Sequence, residues 1–221
     1  MSHINQELLR QFRRDLWQHC RPLSSNERRI TIAYHGAAVV GKSTNLSYLH
    51  ANLPFSDKSD LAAFHLQETD LCVTFDFVHP AIAAIAGQTP RFYLVTLRGA
   101  MSYRESCVAL LAEADAVVFV ADAQFDRLEA NLGMFAEMEQ TLRQAGRALA
   151  DFPWVIQYNK QDLPNIAPTP YLQFKLNKFH APYFETAAKD GVGVCETLAA
   201  IVELAAAACR KTLCKESSCP I

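Results

Sequence analysis

The chain has 221 residues, of which 50% are hydrophobic and 20% charged, so it can form one α/β domain with a sizeable core and is not disordered by composition. The formal net charge of −2 excludes a basic footprint for nucleic acid. Seven scattered cysteines without a CxxC pair argue against a disulfide framework or a zinc site and favour a reducing cytoplasm. No apolar run reaches the ~20 residues needed to span a bilayer. Ser218 occupies the place where a prenylation motif needs cysteine, so we expect no stable membrane anchor.

The N-terminal segment predicts a basic amphipathic helix over residues 5–19. The apolar face of this helix consists of Leu8, Leu9, Phe12 and Leu16. Such a helix can lie on a membrane or a partner, or it can pack on its own domain, and both interpretations stay open. We therefore divide the chain into a helical, basic extension (1–28), a main domain (29–210) and a flexible C-terminal tail (211–221).

The main domain alternates between strand-like and helix-like segments. Strands are predicted at residues 30–35, 72–78, 91–97, 116–121, 154–158 and 182–185. Helices are predicted from Lys42, across 128–142 and across 194–208. The connection between the second and third of these strands is short enough for a hairpin, which makes that pair antiparallel. The pattern predicts a doubly wound, mostly parallel sheet with one antiparallel strand and helices on both faces, which binds its ligand at the carboxyl ends of the strands.

A phosphate-binding motif follows the first predicted strand. Residues 36–43 read G-x-x-x-x-G-K-S between a strand and a helix, as such a loop requires. Backbone N–H groups and the helix N-terminus would face the phosphates, Lys42 would bridge the β- and γ-phosphates, and Ser43 would ligate Mg²⁺. The predicted phosphate-binding residues are Gly36, Ala38, Val39, Val40, Gly41, Lys42, Ser43 and Thr44.

The base is chosen by a second segment, N-K-Q-D at residues 159–162, directly after a predicted strand. Guanine offers two adjacent donors, which the Asp162 carboxylate can accept as a bidentate pair, and adenine lacks that donor pair. Lys160 would lie over the base, and Asn159 would tie this loop to the phosphate loop. The two motifs together predict a guanine nucleotide as the ligand.

From about Ile30 to Leu204 the chain resembles the bacterial gliding-motility small GTPases of the MglA type, a Ras-like branch. The resemblance rests on the phosphate loop continuing into residues 45–49, on E-T-D at 68–70 before F-D-F at 75–77, and on segments 117–124, 127–131, 157–164 and 191–198. It implies a Ras-like P-loop NTPase fold, GTP and GDP as ligands with Mg²⁺, and a bacterial cytoplasmic switch in polarity or motility. It also implies that the Ala188 N–H reaches guanine O6, that Lys189 covers the base, and that the partner is a Roadblock-type, MglB-like protein.

The sequence departs from this family where hydrolysis is catalysed. Ala100 replaces the glutamine that orients water in small GTPases, and Leu71 replaces an intrinsic arginine finger. Because an arginine finger contributes ~10³–10⁵ in rate, we expect very slow intrinsic hydrolysis. The remaining candidates for catalysis are Lys42, Gly99, whose N–H would face the γ-phosphate, and Arg98, which stands beside that position.

Three functions fit these observations. The first is a slow GTPase switch whose hydrolysis needs a partner, and the second is a GTP-binding interaction module without effective catalysis. The third is a P-loop kinase or ATPase, against which Asp162 argues because such an enzyme needs no guanine-reading acid.

Overall fold

The computed structural model describes residues 4–66, 70–98 and 103–217. Its strands are β1 (Glu27–His35), β2 (Ala62–His65), β3 (Leu71–Val78), β4 (Thr89–Arg98), β5 (Ala116–Asp122), β6 (Trp154–Asn159) and β7 (Tyr183–Glu185). Its helices are α1 (Gln6–Trp17), α2 (Lys42–Asn52), α3 (Tyr103–Glu113), α4 (Leu128–Gln144), α5 (Thr169–Leu176) and α6 (Val194–Ser217). A short 3₁₀ helix, Phe125–Arg127, precedes α4.

The strands form one sheet in the order β2-β3-β4-β1-β5-β6-β7. All neighbours pair in parallel except β3, which is antiparallel to both β2 and β4. The predicted mostly parallel sheet with one antiparallel strand is therefore confirmed. The sequence did not predict β2, because its four residues form a half-exposed edge strand with little β-branched character.

Side chains of β5 alternate between two apolar layers, one on each face of the sheet. Val117, Phe119 and Ala121 pack with residues from α1, α3, α4 and α5. Val118 and Val120 pack with residues from α2 and α6 on the other face. The predicted arrangement of helices on both faces is confirmed, and the central strands are buried throughout, as parallel strands usually are.

The N-terminal helix α1 packs on its own domain. Leu9, Phe12 and Leu16 are buried in the layer that α3 also covers. Arg13 joins α1 to the end of α3 through an ion pair between its Nε and Glu113 Oε2 at 2.6 Å. The structure therefore favours the interpretation of a domain-packed helix. At the other terminus, α6 continues through Ser217, into the segment that we predicted as a tail.

A buried ion network closes the end of the sheet at which β1 begins. Arg91 is fully buried, and its guanidinium contacts Glu27 Oε1 at 2.8 Å, Asp57 Oδ1 at 2.6 Å and Asp76 Oδ1 at 2.6 Å. Hydrogen bonds from Ser24 and from Arg91 outweigh the cost of burial and lower the pKa of Glu27 to about 2. This network orients β1, β3 and β4, whose opposite ends carry the candidate site.

Candidate functional site

The loop between β1 and α2 has a backbone that only glycine fits at two positions. Gly36 has φ of +145°, and a Cβ there would lie 2.1 Å from the Val120 carbonyl oxygen. Gly41 has φ of +101°, and a Cβ there would lie 2.2 Å from Asn159 Nδ2. Both glycines of the predicted phosphate motif are therefore required sterically, because β5 and β6 approach the loop too closely for a side chain at either position.

The same loop holds a strained, exposed valine at its tip. Val39 has φ of 58°, an unusual conformation for a β-branched residue, and its side chain is 77% exposed. Positive φ at Val39 and Gly41 alternates with negative φ at Ala38 and Val40, and this alternation turns successive N–H groups toward one side. Strain of this kind is concentrated at ligand-binding loops. The loop has the backbone of an anion cradle.

Lys42 starts α2 and folds back over this cradle. Its Nζ donates to the carbonyl oxygens of Gly36 at 2.8 Å and Ala37 at 2.7 Å. Burial lowers the pKa of Lys42 to about 8; the Cys107 thiol opposes this shift and the positive charge of Arg98 adds to it. Arg98 itself lies on a different element, at the end of β4.

The two predicted nucleotide loops meet at Asn159, the last residue of β6. Its Nδ2 donates to the Val40 carbonyl oxygen at 2.7 Å, so Asn159 does tie this loop to the phosphate loop, as the sequence predicted. Its Oδ1 accepts from Thr186 Oγ1 at 3.0 Å and from the Ala188 backbone N–H at 2.9 Å. Asn159 is only 2% exposed, and it therefore holds the ends of β1, β6 and β7 in one fixed arrangement.

Lys160 is held by a residue to which sequence reasoning assigned no role. Lys160 has φ of 71°, and its Nζ lies 2.6 Å from Asp122 Oδ2 at the end of β5. Asp122 is fully buried, and Asn131 on α4 bonds to both its backbone N–H and its carbonyl oxygen. An acidic residue that ends a buried apolar strand was the available signal, because such a charge needs a partner.

Arg127 is a second residue that the sequence did not single out. Its Nη2 donates to the Ala38 carbonyl oxygen at 3.0 Å, and its Nε lies 3.8 Å from Asp122 Oδ2. The start of α4 is thereby joined to the phosphate loop. Asp122 accordingly lies between a cation that contacts the phosphate loop and the lysine of the guanine motif.

A buried polar chain supports the loop from beneath. Gln157 on β6 donates from Nε2 to Asn45 Oδ1 at 2.9 Å and to Thr197 Oγ1 at 3.1 Å. Asn45 in turn donates to the Gly41 carbonyl oxygen at 3.0 Å. Because the side chains of Gln157, Asn45 and Thr197 are all buried, α2, β6 and α6 are held in register behind the loop.

The other predicted site residues lie at the same edge of the sheet. Ser43 is half-buried and Thr44 exposed in the first turn of α2. Asp162 and Lys189 are exposed on the loops after β6 and β7, and these loops are joined by a bond from the Gln161 N–H to the Thr186 carbonyl oxygen at 3.0 Å. The structure thus brings the phosphate and guanine motifs together.

Only some of the candidate catalytic residues lie within the described part of the chain. Arg98 is exposed at the end of β4, where it stands opposite Leu71 in the β3–β4 register. Leu71 is half-buried and Cys72 is buried. Gly99, Ala100, Glu68 and Thr69 lie outside the described residues. Asp70, which is buried, accepts a 2.6 Å bond from Ser106 Oγ on α3.

A comparison with known proteins agrees with this geometry. The chain is 38% identical over 181 residues to the mutual gliding-motility protein MglA of Myxococcus xanthus (strain DK1622), and the match covers 82% of this chain and 92% of that protein. The chain belongs to the MglA family of small GTPases. No protein-family model matches it. The MglA-type resemblance that the sequence motifs indicated is confirmed, and so is the expectation of a Ras-like P-loop fold.

Two further findings concern the described residues alone. Among the helices of 4–66, 70–98 and 103–217, none is long and apolar enough to cross a membrane. Within the same ranges, no cluster of three or more histidine, cysteine or acidic side chains could hold a metal ion.

Proposed function

We propose that this MglA-family protein binds GTP and GDP with Mg²⁺ and acts as a slow molecular switch in cell polarity or motility. The observation that carries the proposal is the position of Asn159, which bonds to the phosphate loop through Val40 and to the loop after β7 through Thr186 and Ala188. A single side chain thereby couples the two halves of a guanine nucleotide site. A kinase or ATPase would have no use for the acid that follows it at Asp162.

The phosphates would lie on the loop from Gly36 to Thr44. Their charge would favour the protonated form of Lys42, whose pKa burial lowers to about 8. The Ser43 hydroxyl would hold Mg²⁺, which would neutralise charge on the phosphate oxygens. The residues fit these groups because φ alternates in sign across residues 38–41, which turns the backbone N–H groups toward one side, beside Lys42 at the start of α2.

The base would lie between the loops after β6 and β7. The exposed Asp162 carboxylate would accept from guanine N1 and N2, while Lys160 and Lys189 would cover the base. The Ala188 N–H donates to Asn159 Oδ1 at 2.9 Å, so guanine O6 would share this donor with Asn159. The ion pair of Lys160 with Asp122 would keep the lysine stem in place over the base.

Hydrolysis would be slow because the groups that accelerate it in small GTPases are replaced. Leu71 has no charge to stabilise the transition state, and Ala100 has no polar atom to orient water. Arg98, exposed at the end of β4 opposite Leu71, is a candidate cation for this role. A Roadblock-type, MglB-like partner would then supply or organise the missing catalysis. If it does not, the protein would serve as a GTP-stabilised interaction module.

Single-turnover phosphate release from the GTP-loaded protein tests this proposal, together with the amount of nucleotide that copurifies. We expect tight retention of guanine nucleotide and slow release, with retention lost in Lys42→Ala. Arg98→Ala should slow release further, whereas Arg10→Ala, which removes an exposed arginine on α1, should not change it. Retention of GTP without any phosphate release would indicate the interaction module instead of the switch. Failure to bind guanine nucleotide would overturn the proposal.

A further inference from the structure

A cavity of about 590 Å³ lies at the opposite edge of the sheet from the nucleotide loops. It is bordered by Arg28 and Arg29 at the start of β1 and by Asp115 immediately before β5. The second half of α6 contributes an apolar wall that includes Ala205 and Leu213. The nucleotide motifs contribute no residue to this lining, so the cavity is separate from the site described above.

Three guanidinium groups line the cavity, those of Arg28, Arg29 and Arg147. The Nε atoms of Arg28 and Arg29 are buried and have no hydrogen-bond partner in the described part of the chain. Arg29 stacks its guanidinium 3.6 Å above the Trp17 ring, and Arg147 donates to the carbonyl oxygens of Ala112 and Ala114. These contacts orient Arg29 and Arg147 without neutralising them.

One carboxylate, Asp115, offsets part of this charge through its electrostatic interaction with Arg147 and Arg29. None of the ion pairs between described residues includes any of the three arginines. Asp115 is nearby, but its Oδ2 accepts from the Thr31 backbone N–H at 2.8 Å, and burial raises its pKa. The second acidic residue in the lining, Asp151, is exposed. The lining therefore carries three arginines against two carboxylates, and this excess of positive charge favours an anion.

We propose that this cavity binds a soluble phosphate monoester that carries an apolar group. The three guanidinium groups offer more donors than the two oxygens of a carboxylate can accept, whereas a phosphate monoester presents three terminal oxygens. The wall of α6, together with Phe152, would pack against the apolar group. The volume lies within the roughly 300–1,000 Å³ that small-molecule sites occupy.

Phenyl phosphate is a suitable probe, tested on the full chain loaded with GDP so that the phosphate loop is already occupied. Calorimetry measures its affinity, and fluorescence of Trp17, which lies under Arg29, reports the location. We expect saturable binding of one molecule, weaker binding of inorganic phosphate and none of benzyl alcohol. The double variant Arg28→Gln/Arg29→Gln should weaken phenyl phosphate binding by roughly tenfold or more, because charged hydrogen bonds are lost.

Two further variants separate this effect from a loss of fold. Arg14→Gln removes an exposed arginine of α1 outside the cavity and should leave the affinity unchanged. Ala208→Phe fills the cavity from α6 while keeping all three arginines, and it should also abolish binding. Retention of GDP by each variant shows that it is folded. The proposal is wrong if GDP-loaded wild type shows no saturable binding, or if the cavity variants bind phenyl phosphate as wild type does.

Discussion

Replacing Asn159 with alanine should loosen the nucleotide far more than it loosens the fold. The side chain is 2% exposed and makes three hydrogen bonds, to Val40, Thr186 and Ala188. At about 1 kcal/mol net for each bond, the variant should lose about 3 kcal/mol of stability. The bonds of Asn159 also align the two nucleotide loops, so even half of that energy would raise the GDP dissociation rate by about tenfold.

Asn177 provides a matched control at the end of α5. It is 4% exposed and also makes three hydrogen bonds, one with Gln173 and two with the backbone of Ala181, each at 2.8 Å. Asn177→Ala should therefore destabilise the fold by a similar amount. Because none of these contacts involves the loops at 36–41 or 186–188, GDP dissociation should stay at the wild-type rate.

Urea unfolding without nucleotide gives the stabilities, and displacement of a fluorescent GDP by excess unlabelled GDP gives the dissociation rates. Both variants should show a similar loss in the free energy of unfolding, and only Asn159→Ala should release GDP faster. Equal dissociation rates in the two variants would refute the reasoning. They would show that Asn159 contributes only general stability.

Three more outcomes follow from the structure. Gly41→Ala should abolish nucleotide retention, because its Cβ would lie 2.2 Å from Asn159 Nδ2. The control Gly133→Ala in α4 places its Cβ with no atom within 4 Å, so it should raise the free energy of unfolding by up to about 1 kcal/mol. Lys160→Ala should weaken GDP binding measured by calorimetry, because it removes the 2.6 Å partner of buried Asp122, and Lys175→Ala on α5 should not. The free energy of unfolding should fall as pH drops from about 4.5 toward 2, because folding lowers the pKa of Glu27 to about 2. The stability that Glu27 contributes is present above its pKa in the unfolded chain and is lost as the pH falls through its pKa in the folded protein. In Glu27→Gln the free energy of unfolding should depend less on pH over this range, whereas the exposed control Glu129→Gln should behave as wild type. A pH dependence in Glu27→Gln as steep as that in Glu129→Gln would contradict the assignment.

The sequence predicted the fold well where local pattern and tertiary role coincide. The apolar run of β5 reads as a buried strand, and both of its faces are covered by helices. The phosphate loop was predictable because the motif places glycine at the two positions, 36 and 41, where the backbone has positive φ, although the strands that crowd them were not foreseen. Edge strand β2 was missed because its pairing with β3, rather than its own residues, makes it a strand.

Sequence reasoning was weaker on contacts between distant residues. Asn159 was expected to reach the phosphate loop because the motif itself suggests it. The contact from Arg127 to Ala38 joins residues far apart in the chain, and no spacing rule relates them. The cavity at the start of β1 could not be predicted from the sequence either, because Arg28, Arg147 and Leu213 come together only through the packing of three separate segments.

The contacts of the N-terminal helix also join elements that are far apart in the chain. Beyond its ion pair with α3, the segment reaches the β2–β3 hairpin, where His19 stacks on Phe64 with ring centroids 4.0 Å apart. The hairpin and α3 are also joined directly by the bond from Ser106 to buried Asp70. The α1 segment therefore contacts both the β2–β3 hairpin and α3. Of the interpretations that the sequence left open for this basic helix, the structure favours packing on its own domain, because its apolar face is buried and Arg13 pairs with Glu113 at the end of α3.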